Sequence, residues 1–165
     1  MFENLKAAKA AKLTLARLKG PSAPSSHRVW SCDILFYGAQ VGRASGNDLT
    51  RELKVELDEH LQQQIIQMLQ EHNFKLDLSK TPRHSIQPNT PTNFMRMAIA
   101  QMADEMDLVR ELKVSARTQT LVLMRSDLTK VAVFKEPFTA AVKARLLDQF
   151  GDELVEFVNE SLQGL

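Results

Sequence analysis

The chain has few of the residues from which cross-links and recognisable active sites are built. One cysteine, Cys32, stands in 165 residues, so no disulfide can form within the chain and a reducing compartment is expected. The four histidines are scattered and lack the spacing of zinc ligands. No phosphate-cradling glycine loop and no GxSxG or HExxH motif occurs. The sequence therefore predicts no cofactor, no metal site and no catalytic residue of a familiar kind.

Long hydrophobic runs are also lacking, so no membrane-spanning helix is expected. The longest apolar stretches are far shorter than the 18 or more residues that a membrane-spanning helix needs. The N-terminus is rich in lysine without a continuous apolar segment, unlike a secretory signal, although it has some features of an organelle presequence. With 44% hydrophobic and 25% charged residues, the composition is that of a globular protein. We expect a cytoplasmic protein with no membrane association.

Charge is unevenly distributed along the chain. Residues 1–43 carry seven lysines and arginines against two acids, a formal charge of +5, and the whole chain carries +1. The remaining residues are therefore mildly acidic. An anionic partner, nucleic acid included, is expected to meet residues 1–43.

Residues 2–19 are predicted to form one basic helix, because alanine, lysine and leucine dominate and Gly20-Pro21 would end it. We expect this helix, within residues 1–20, to be semi-independent of the rest of the chain. Its cations, together with two from a later loop, are the predicted partner- or anion-binding residues: Lys6, Lys9, Lys12, Arg17, Lys19, Lys80 and Arg83. Three apolar residues on its basic side are predicted hydrophobic partner contacts: Phe2, Leu5 and Leu13.

Residues 21–27 form the predicted linker to a domain over 28–165, which begins with a strand at 28–37. Glycines at 38, 42 and 46 indicate a loop with several positive φ angles, and Ser45-Gly46-Asn47-Asp48 indicates a turn. The leucines of residues 49–69 fit either one long helix or a strand followed by a helix. We favour a strand at 51–57 and a helix at 58–72, followed by a short strand at 74–78.

The second half of the domain begins with a Pro-rich loop at 79–92, which contains no acidic residue. A core helix is predicted over 93–113, capped by Asn93, and a hairpin over 117–135 with a Ser126-Asp127 turn. Two further helices follow, one that has Pro137 in its first turn and runs to Phe150, and one over 153–162. The elements together predict an α+β fold: a single compact domain with a mostly antiparallel sheet of four to six strands covered by helices.

Three features could carry function in this fold, and each also has a structural interpretation. Cys32 alternates with core-facing residues of its strand, which favours a buried thiol over a nucleophile. Glu105 lies on the apolar side of helix 93–113, so its carboxylate must pair, reach solvent or take a raised pKa. The methionines of that helix could form an adaptable binding groove but are more typical of a core.

Three functions remain open from the sequence. The first is a non-enzymatic interaction or assembly protein, such as an adaptor, a chaperone-like protein or an oligomeric component, with a protein partner or self-association. The second is a nucleic-acid-binding accessory protein that uses the basic N-terminal helix. The third is a small enzyme with an unfamiliar site, for example at Glu105 or His84.

Overall fold

The computed structural model describes residues 1–20, 29–47, 50, 52–78 and 87–165, and in these residues the α+β prediction is confirmed. The strands are antiparallel as predicted, but they form two sheets, of four and three strands, rather than one. The chain divides into two compact units, Phe2–Met106 and Asp107–Leu165, the second of which includes Met1. The elements, in chain order, are α1 Glu3–Ala10, β1 Leu13–Lys19, β2 Val29–Phe36, β3 Ala39–Asn47, β4 Glu52–Glu56, α2 Glu59–Glu71, α3 Pro91–Ser115, β5 Thr120–Met124, β6 Asp127–Phe134, α4 Ala140–Phe150, β7 Leu154–Phe157 and α5 Val158–Ser161.

The four-stranded sheet of the first unit has the order β1-β2-β3-β4. The tight connection between β2 and β3 is Tyr37-Gly38, with φ angles of 50° and 79°, as a two-residue hairpin turn requires. Only Gly38 of the three evenly spaced glycines has a positive φ. Gly42 and Gly46 lie inside β3, so the predicted loop and the turn at Ser45–Asn47 are wrong. Small residues are needed there, since a Cβ on Gly46 would collide with the indole of Trp30.

One face of this sheet is buried under helices. Alternate residues of β2 point to this face, as predicted from the strand pattern. Their cross-strand partners in β3 are glycine or alanine, which leaves room for the larger side chains of β2. Helices α2 and α3 contribute residues three or four apart, which lie on one side of each helix, and α1 contributes two adjacent alanines. The buried side chains include Trp30, Cys32, Ile34 and Phe36 of β2, Ala7 and Ala8 of α1, Ile65 and Leu69 of α2, and Met95, Ile99 and Met102 of α3.

The single helix predicted over 2–19 is wrong. Helix α1 ends at Ala10, and Lys12, with φ of 61°, turns the chain into strand β1. Leu13 and Leu15 alternate with exposed Thr14 and pair with Phe36 and Ile34 of β2. Pairing with a neighbouring strand therefore overrides the local helix preference of this sequence. Residues 13–19 are an edge strand of the sheet rather than part of a semi-independent helix.

The predicted strand at 74–78 is also wrong, because side-chain amides take the place of a partner strand. Asn4 donates to the Lys75 carbonyl at 2.8 Å and accepts from its N–H at 3.1 Å. Gln101 makes the same two bonds with Asp77, at 2.8 Å and 3.0 Å. The backbone N–H and carbonyl groups of Lys75 and Asp77 are thus hydrogen-bonded without pairing to another strand.

The middle of the first unit follows the prediction more closely. Strand β4 and helix α2 confirm the strand at 51–57 and the helix at 58–72, and the Asp58 carboxylate caps α2 by accepting from His60 and Leu61. Helix α3 confirms the core helix but begins at Pro91, and the Thr90 hydroxyl, rather than Asn93, accepts the first-turn N–H. The linker at 21–27 and residues 79–86 of the Pro-rich loop lie outside the described residues.

The second unit contains a three-stranded sheet in the order β6-β5-β7. The predicted hairpin is confirmed as β5 and β6, joined at Arg125–Ser126. Helix α4 confirms the helix that ends at Phe150, but it begins after Thr139, so Pro137 precedes it. The small core of this second unit consists of Val122, Leu146 and Phe157.

The helix predicted over 153–162 is wrong in its first half. Leu154–Phe157 is strand β7, which pairs with β5, and only Val158–Ser161 is helical. The buried Asn159 fastens this end of the chain: its Oδ1 accepts the Leu121 N–H at 2.7 Å, and its Nδ2 donates to the Gln119 carbonyl at 3.0 Å. Pairing with a distant strand again overrides a local pattern that fits a helix.

Candidate anion-binding site

The face of the four-stranded sheet opposite the helices carries polar side chains and encloses a cleft of about 410 Å³. Successive residues of a strand point to opposite faces, so alternate positions of each strand supply the lining. We call this concavity the basic cleft. Its lining residues are Arg17 and Lys19 of β1, Ser31, Cys32 and Asp33 of β2, Arg43, Ala44 and Ser45 of β3, and Lys54 and Glu56 of β4.

Four of these residues form a continuous row across all four strands. Lys19 is the cross-strand partner of Ser31, Ser31 of Ser45, and Ser45 of Lys54. We call them the lysine–serine row. Two hydroxyls thus stand side by side at the middle of the sheet, with one ammonium group on each outer strand.

A second row lies one step along the same face. Asp33 pairs with Arg43, and Arg43 pairs with Glu56. Arg17 joins them from β1, where the register of β1 against β2 shifts between Ala16 and Lys19. We call these residues the arginine–carboxylate row. Arg17 has a φ of 51°, so the irregularity redirects its side chain in the way that β-bulges do near binding sites.

Asp33 is the centre of a hydrogen-bonded cluster in the arginine–carboxylate row. Its Oδ2 accepts from Nε of Arg17, and its Oδ1 lies 3.5 Å from Nε of Arg43. Gln40 donates to Oδ1 at 3.2 Å and accepts from Nη2 of Arg17 at 2.8 Å. These groups leave Asp33 only 7% exposed although it lies on the open face. The cluster holds both guanidinium groups along the cleft.

The two rows differ in their formal charge. In the arginine–carboxylate row two cations face two carboxylates, whereas the lysine–serine row contains two cations and no acid. The cleft lining therefore has a net charge of +2, which resides in the lysine–serine row. Lys54 also pairs with Glu52 at 2.9 Å, and this hydrogen bond raises the pKa of Lys54. Both side chains are more than half exposed, and pairs between such solvent-screened groups exchange readily.

Cys32 lines the cleft floor, but its side chain belongs to the opposite face of the sheet. It pairs with Ala44, is 4% exposed and lies in the hydrophobic core. Burial, reinforced by the Asp33 carboxylate, raises the pKa of the thiol to about 11. The thiol is therefore protonated at neutral pH, which fits the structural interpretation of this residue rather than a nucleophile.

The structure separates the cations that the sequence placed on one helix. Arg17 and Lys19 lie in the basic cleft, on strand β1. Lys6 and Lys9 lie on α1, where Lys6 pairs with Glu3 at 3.0 Å, and Lys12 lies in the turn that follows. Lys80 and Arg83, and with them His84, lie outside the described residues.

The predicted hydrophobic partner contacts occupy the interior instead. Phe2 is 4% exposed and Leu13 is fully buried, while Leu5 is half-buried against the core. Leu13 was misplaced because the helix ends at Ala10 and Leu13 belongs to strand β1, whereas Phe2 and Leu5 lie at the start of α1, on a side that is shielded rather than exposed. These three residues are therefore unsuited to an exposed docking surface.

Sequence reasoning missed the other half of the cleft. Arg43 was expected only to accompany the basic N-terminal helix in contacting a phosphate backbone, and Ser31, Ser45 and Lys54 were not selected at all. The available signal was the polar alternation in β2 and β4, where Ser31-Asp33 and Lys54-Glu56 interleave with apolar residues. The cross-strand register, which places them in one row, is a long-range property that no local pattern contains.

Other kinds of site are not found in the described part of the chain. Within it, no three His, Cys, Asp or Glu side chains gather as metal ligands would. None of the helices described combines the length and apolarity that a membrane span requires. Comparison with protein-family models, with curated proteins and with solved structures finds no match.

Proposed function

We propose that the protein is a non-enzymatic, nucleic-acid-binding accessory protein whose contact surface is the basic cleft. One observation carries the proposal: four cations from three strands, Arg17, Lys19, Arg43 and Lys54, line one concavity on an open sheet face. Lysine and arginine side chains bind the phosphate groups that dominate nucleic-acid affinity. An open antiparallel sheet face is also a common platform for single-stranded nucleic acid.

The proposal changes the surface that the sequence suggested while keeping the class of partner. The cations that the sequence assigned to one basic helix lie on two elements: Lys6 and Lys9 on α1, and Arg17 and Lys19 on β1. The support for a hydrophobic docking helix is weaker, because Phe2 and Leu13 are buried. Met95, Met97 and Met102 of α3 are also buried, so they do not form an open groove.

Fluorescence anisotropy of labelled random-sequence RNA and DNA, single-stranded and duplex, tests the proposal over a salt series. The informative variant is Lys19→Ala/Arg43→Ala/Lys54→Ala. We expect it to weaken binding at least tenfold and to reduce the slope of log affinity against log salt by about two to three, because three phosphate contacts are lost.

Lys6→Ala/Lys9→Ala/Lys12→Ala is the matched control, since it removes the same charge from α1 and the turn that follows it. We expect this variant to bind like the wild type. Equal weakening by both triple variants would assign the effect to net charge rather than to the cleft. Absence of wild-type binding at low salt would overturn the proposal.

A second candidate function is assembly with a protein partner or with a second copy, which was the leading interpretation of the sequence. The observation that favours it is a group of exposed apolar side chains on the strands and helix α4 of the second unit: Leu128 and Val133 on β6, Leu147 on α4 and Val155 on β7. Strand β6 is also an edge strand, and edge strands can pair with another chain. Light scattering of the wild type and Val133→Lys would test it: a mass that rises with concentration only in the wild type supports self-association.

We keep the cytoplasm as the proposed location, on the same ground as in the sequence. Cys32 is the only cysteine, and its thiol is buried, as suits a protein of a reducing compartment.

A further inference from the structure

The lysine–serine row has a geometry suited to one compact anion. Neighbouring strands are about 4.8 Å apart, so the backbones of Lys19 and Lys54 are separated by three spacings, about 14 Å. Ser31 and Ser45 stand between them as direct partners, and directly opposed Cβ atoms lie about 5 Å apart. A lysine has a flexible four-carbon stem. Both ammonium groups can therefore lean inward over the same pair of hydroxyls.

The donors of this row match phosphate better than carboxylate. Each serine offers one O–H donor, and each lysine offers three N–H donors without any acceptor. A phosphate monoester has three strong acceptor oxygens and a charge of about −1.5 to −2 at neutral pH. A carboxylate has two acceptor oxygens and a single negative charge. The +2 charge of the row therefore balances a monoester dianion rather than a carboxylate.

The neighbouring row is less suited to this task. The guanidinium groups of Arg17 and Arg43 already share the Asp33 carboxylate, and Arg43 also pairs across the strands with Glu56. An anion placed there would have to displace a largely buried carboxylate or lie beside it. In the lysine–serine row the competing carboxylate is that of Glu52, which pairs with Lys54 at 2.9 Å, but both of these side chains are more than half exposed, unlike Asp33.

We infer that the lysine–serine row is a subsite for the terminal phosphate monoester of a nucleic-acid strand, seated over Ser31 and Ser45 between Lys19 and Lys54. The inference deepens the proposed function and rests on it. The protein would then distinguish strand ends from strand interiors, since an interior phosphodiester carries only one negative charge. Arg17 and Arg43 of the adjacent row stay paired with Asp33, but their side chains are 66% and 70% exposed, so their remaining N–H donors can contact the next phosphates of the strand.

The test compares one oligonucleotide with a 5′-phosphate, with a 3′-phosphate and with neither, at a pH of about 7.5, above the second phosphate pKa of about 6. We expect at least one phosphorylated form to bind the full-length protein about fivefold or more tightly than the unphosphorylated form. Ser31→Ala/Ser45→Ala should remove that preference, and the readout is the ratio of the two affinities, because the same serines also line the cleft that holds the unphosphorylated strand.

Ser31→Thr/Ser45→Thr is the matched control, because it keeps both hydroxyls on an open sheet face. It should retain the preference, and a preference lost equally in the threonine and alanine variants would overturn the assignment to hydroxyl donors. Circular dichroism spectra that match the wild type will show that both variants are folded. Equal wild-type affinity for all three oligonucleotides would overturn the subsite and leave the proposed function intact.

A second readout separates the subsite from nucleic-acid binding as such. Titration of ¹⁵N-labelled protein with inorganic phosphate should shift the amide resonances of Ser31 and Ser45, and Lys19→Ala/Lys54→Ala should abolish the shifts. Such shifts in a protein that binds no oligonucleotide would keep the phosphate subsite and overturn the proposed function. Shifts confined to other residues would overturn the subsite.

Discussion

The carboxylate of Glu105, on helix α3, accepts a hydrogen bond of 3.1 Å from the backbone N–H of Leu5, in the first turn of helix α1. The two residues are 100 positions apart in the chain. Helix α1 begins after Phe2, whose side chain provides no cap, so a residue from another helix satisfies one of the unpaired amides. A carboxylate at this end also interacts favourably with the helix dipole. This capping role therefore explains why a carboxylate, that of Glu105, stands on the apolar side of helix α3.

Replacing Glu105 should lower stability rather than remove an activity. Glu105→Ala is expected to reduce the free energy of unfolding by about 1–2 kcal/mol, and Glu105→Gln by less, because the amide keeps an acceptor oxygen. Urea unfolding measures both, and hydrogen exchange at the Leu5 amide should accelerate in the alanine variant. Glu111→Ala, an exposed position of the same helix, is the control and should change stability by no more than about 0.5 kcal/mol. An unchanged unfolding midpoint in Glu105→Ala would contradict the capping role.

Gly46 of strand β3 makes room for Trp30, and an added methyl group should therefore be costly. Gly46→Ala would place its Cβ against the indole of Trp30, which is 5% exposed and cannot easily move. We expect a loss of about 1–3 kcal/mol in unfolding free energy. Trp30 is the only tryptophan, so a red shift of its emission would report the displacement directly. At Gly164 an added Cβ meets nothing within 4 Å, so Gly164→Ala should match the wild type.

The fold was predictable where hydrophobic spacing allowed one interpretation. Strand β2 shows clean alternation, and helix α3 shows a broad apolar arc, so both were recovered. Residues 13–19 and 154–157 failed for a shared reason. Each is a short segment whose leucines or phenylalanine fit a helical face as well as a strand face, and each becomes a strand by pairing with a segment distant in sequence. That pairing energy cannot be estimated before the fold is known.

The candidate site was predictable only in part. Arg17 and Lys19 were selected for their charge, which the sequence shows directly. Their neighbours in the basic cleft depend on the register of β2 against β3 and of β3 against β4, which places Ser31, Ser45 and Lys54 in one row. A register shifted by one residue would send each of these side chains to the opposite face. Local composition therefore identified two of the cations but not the surface to which they belong.

The side-chain amide of Gln101 should be necessary for the ordered path of residues 75–78. Gln101→Leu keeps a similar volume but leaves the Asp77 N–H and carbonyl without this partner. We expect a loss of about 1–3 kcal/mol in unfolding free energy and faster hydrogen exchange at the Asp77 amide. Gln101→Glu keeps the acceptor but sets a buried carboxylate oxygen against the Asp77 carbonyl, so its loss should be at least as large as that of Gln101→Leu. Wild-type exchange at Asp77 in the leucine variant would show that the segment is held by other contacts.

The buried thiol of Cys32 should make the protein less stable in alkaline solution. Its pKa is raised from 9.0 to about 11 in the folded state, so between these values the unfolded chain loses a proton that the folded chain keeps. Proton loss from the unfolded state alone favours unfolding as pH rises. This contribution to stability is fully present below about pH 9 and is lost progressively as the pH rises to about 11.

Urea unfolding of the wild type and of Cys32→Ala at about pH 8 and pH 10.5 measures this contribution, because the other titrating groups are common to both proteins. The wild type should lose about 2 kcal/mol more than the variant between the two conditions, as expected from the pKa difference. The smaller side chain of the variant also lowers its unfolding free energy, but by the same amount at both pH values. This loss cancels when each protein at about pH 10.5 is compared with the same protein at about pH 8. Equal losses in the two proteins would mean that the Cys32 thiol titrates alike in the folded and unfolded chains, and that it is less shielded by strands β2 and β3 than its 4% exposure indicates.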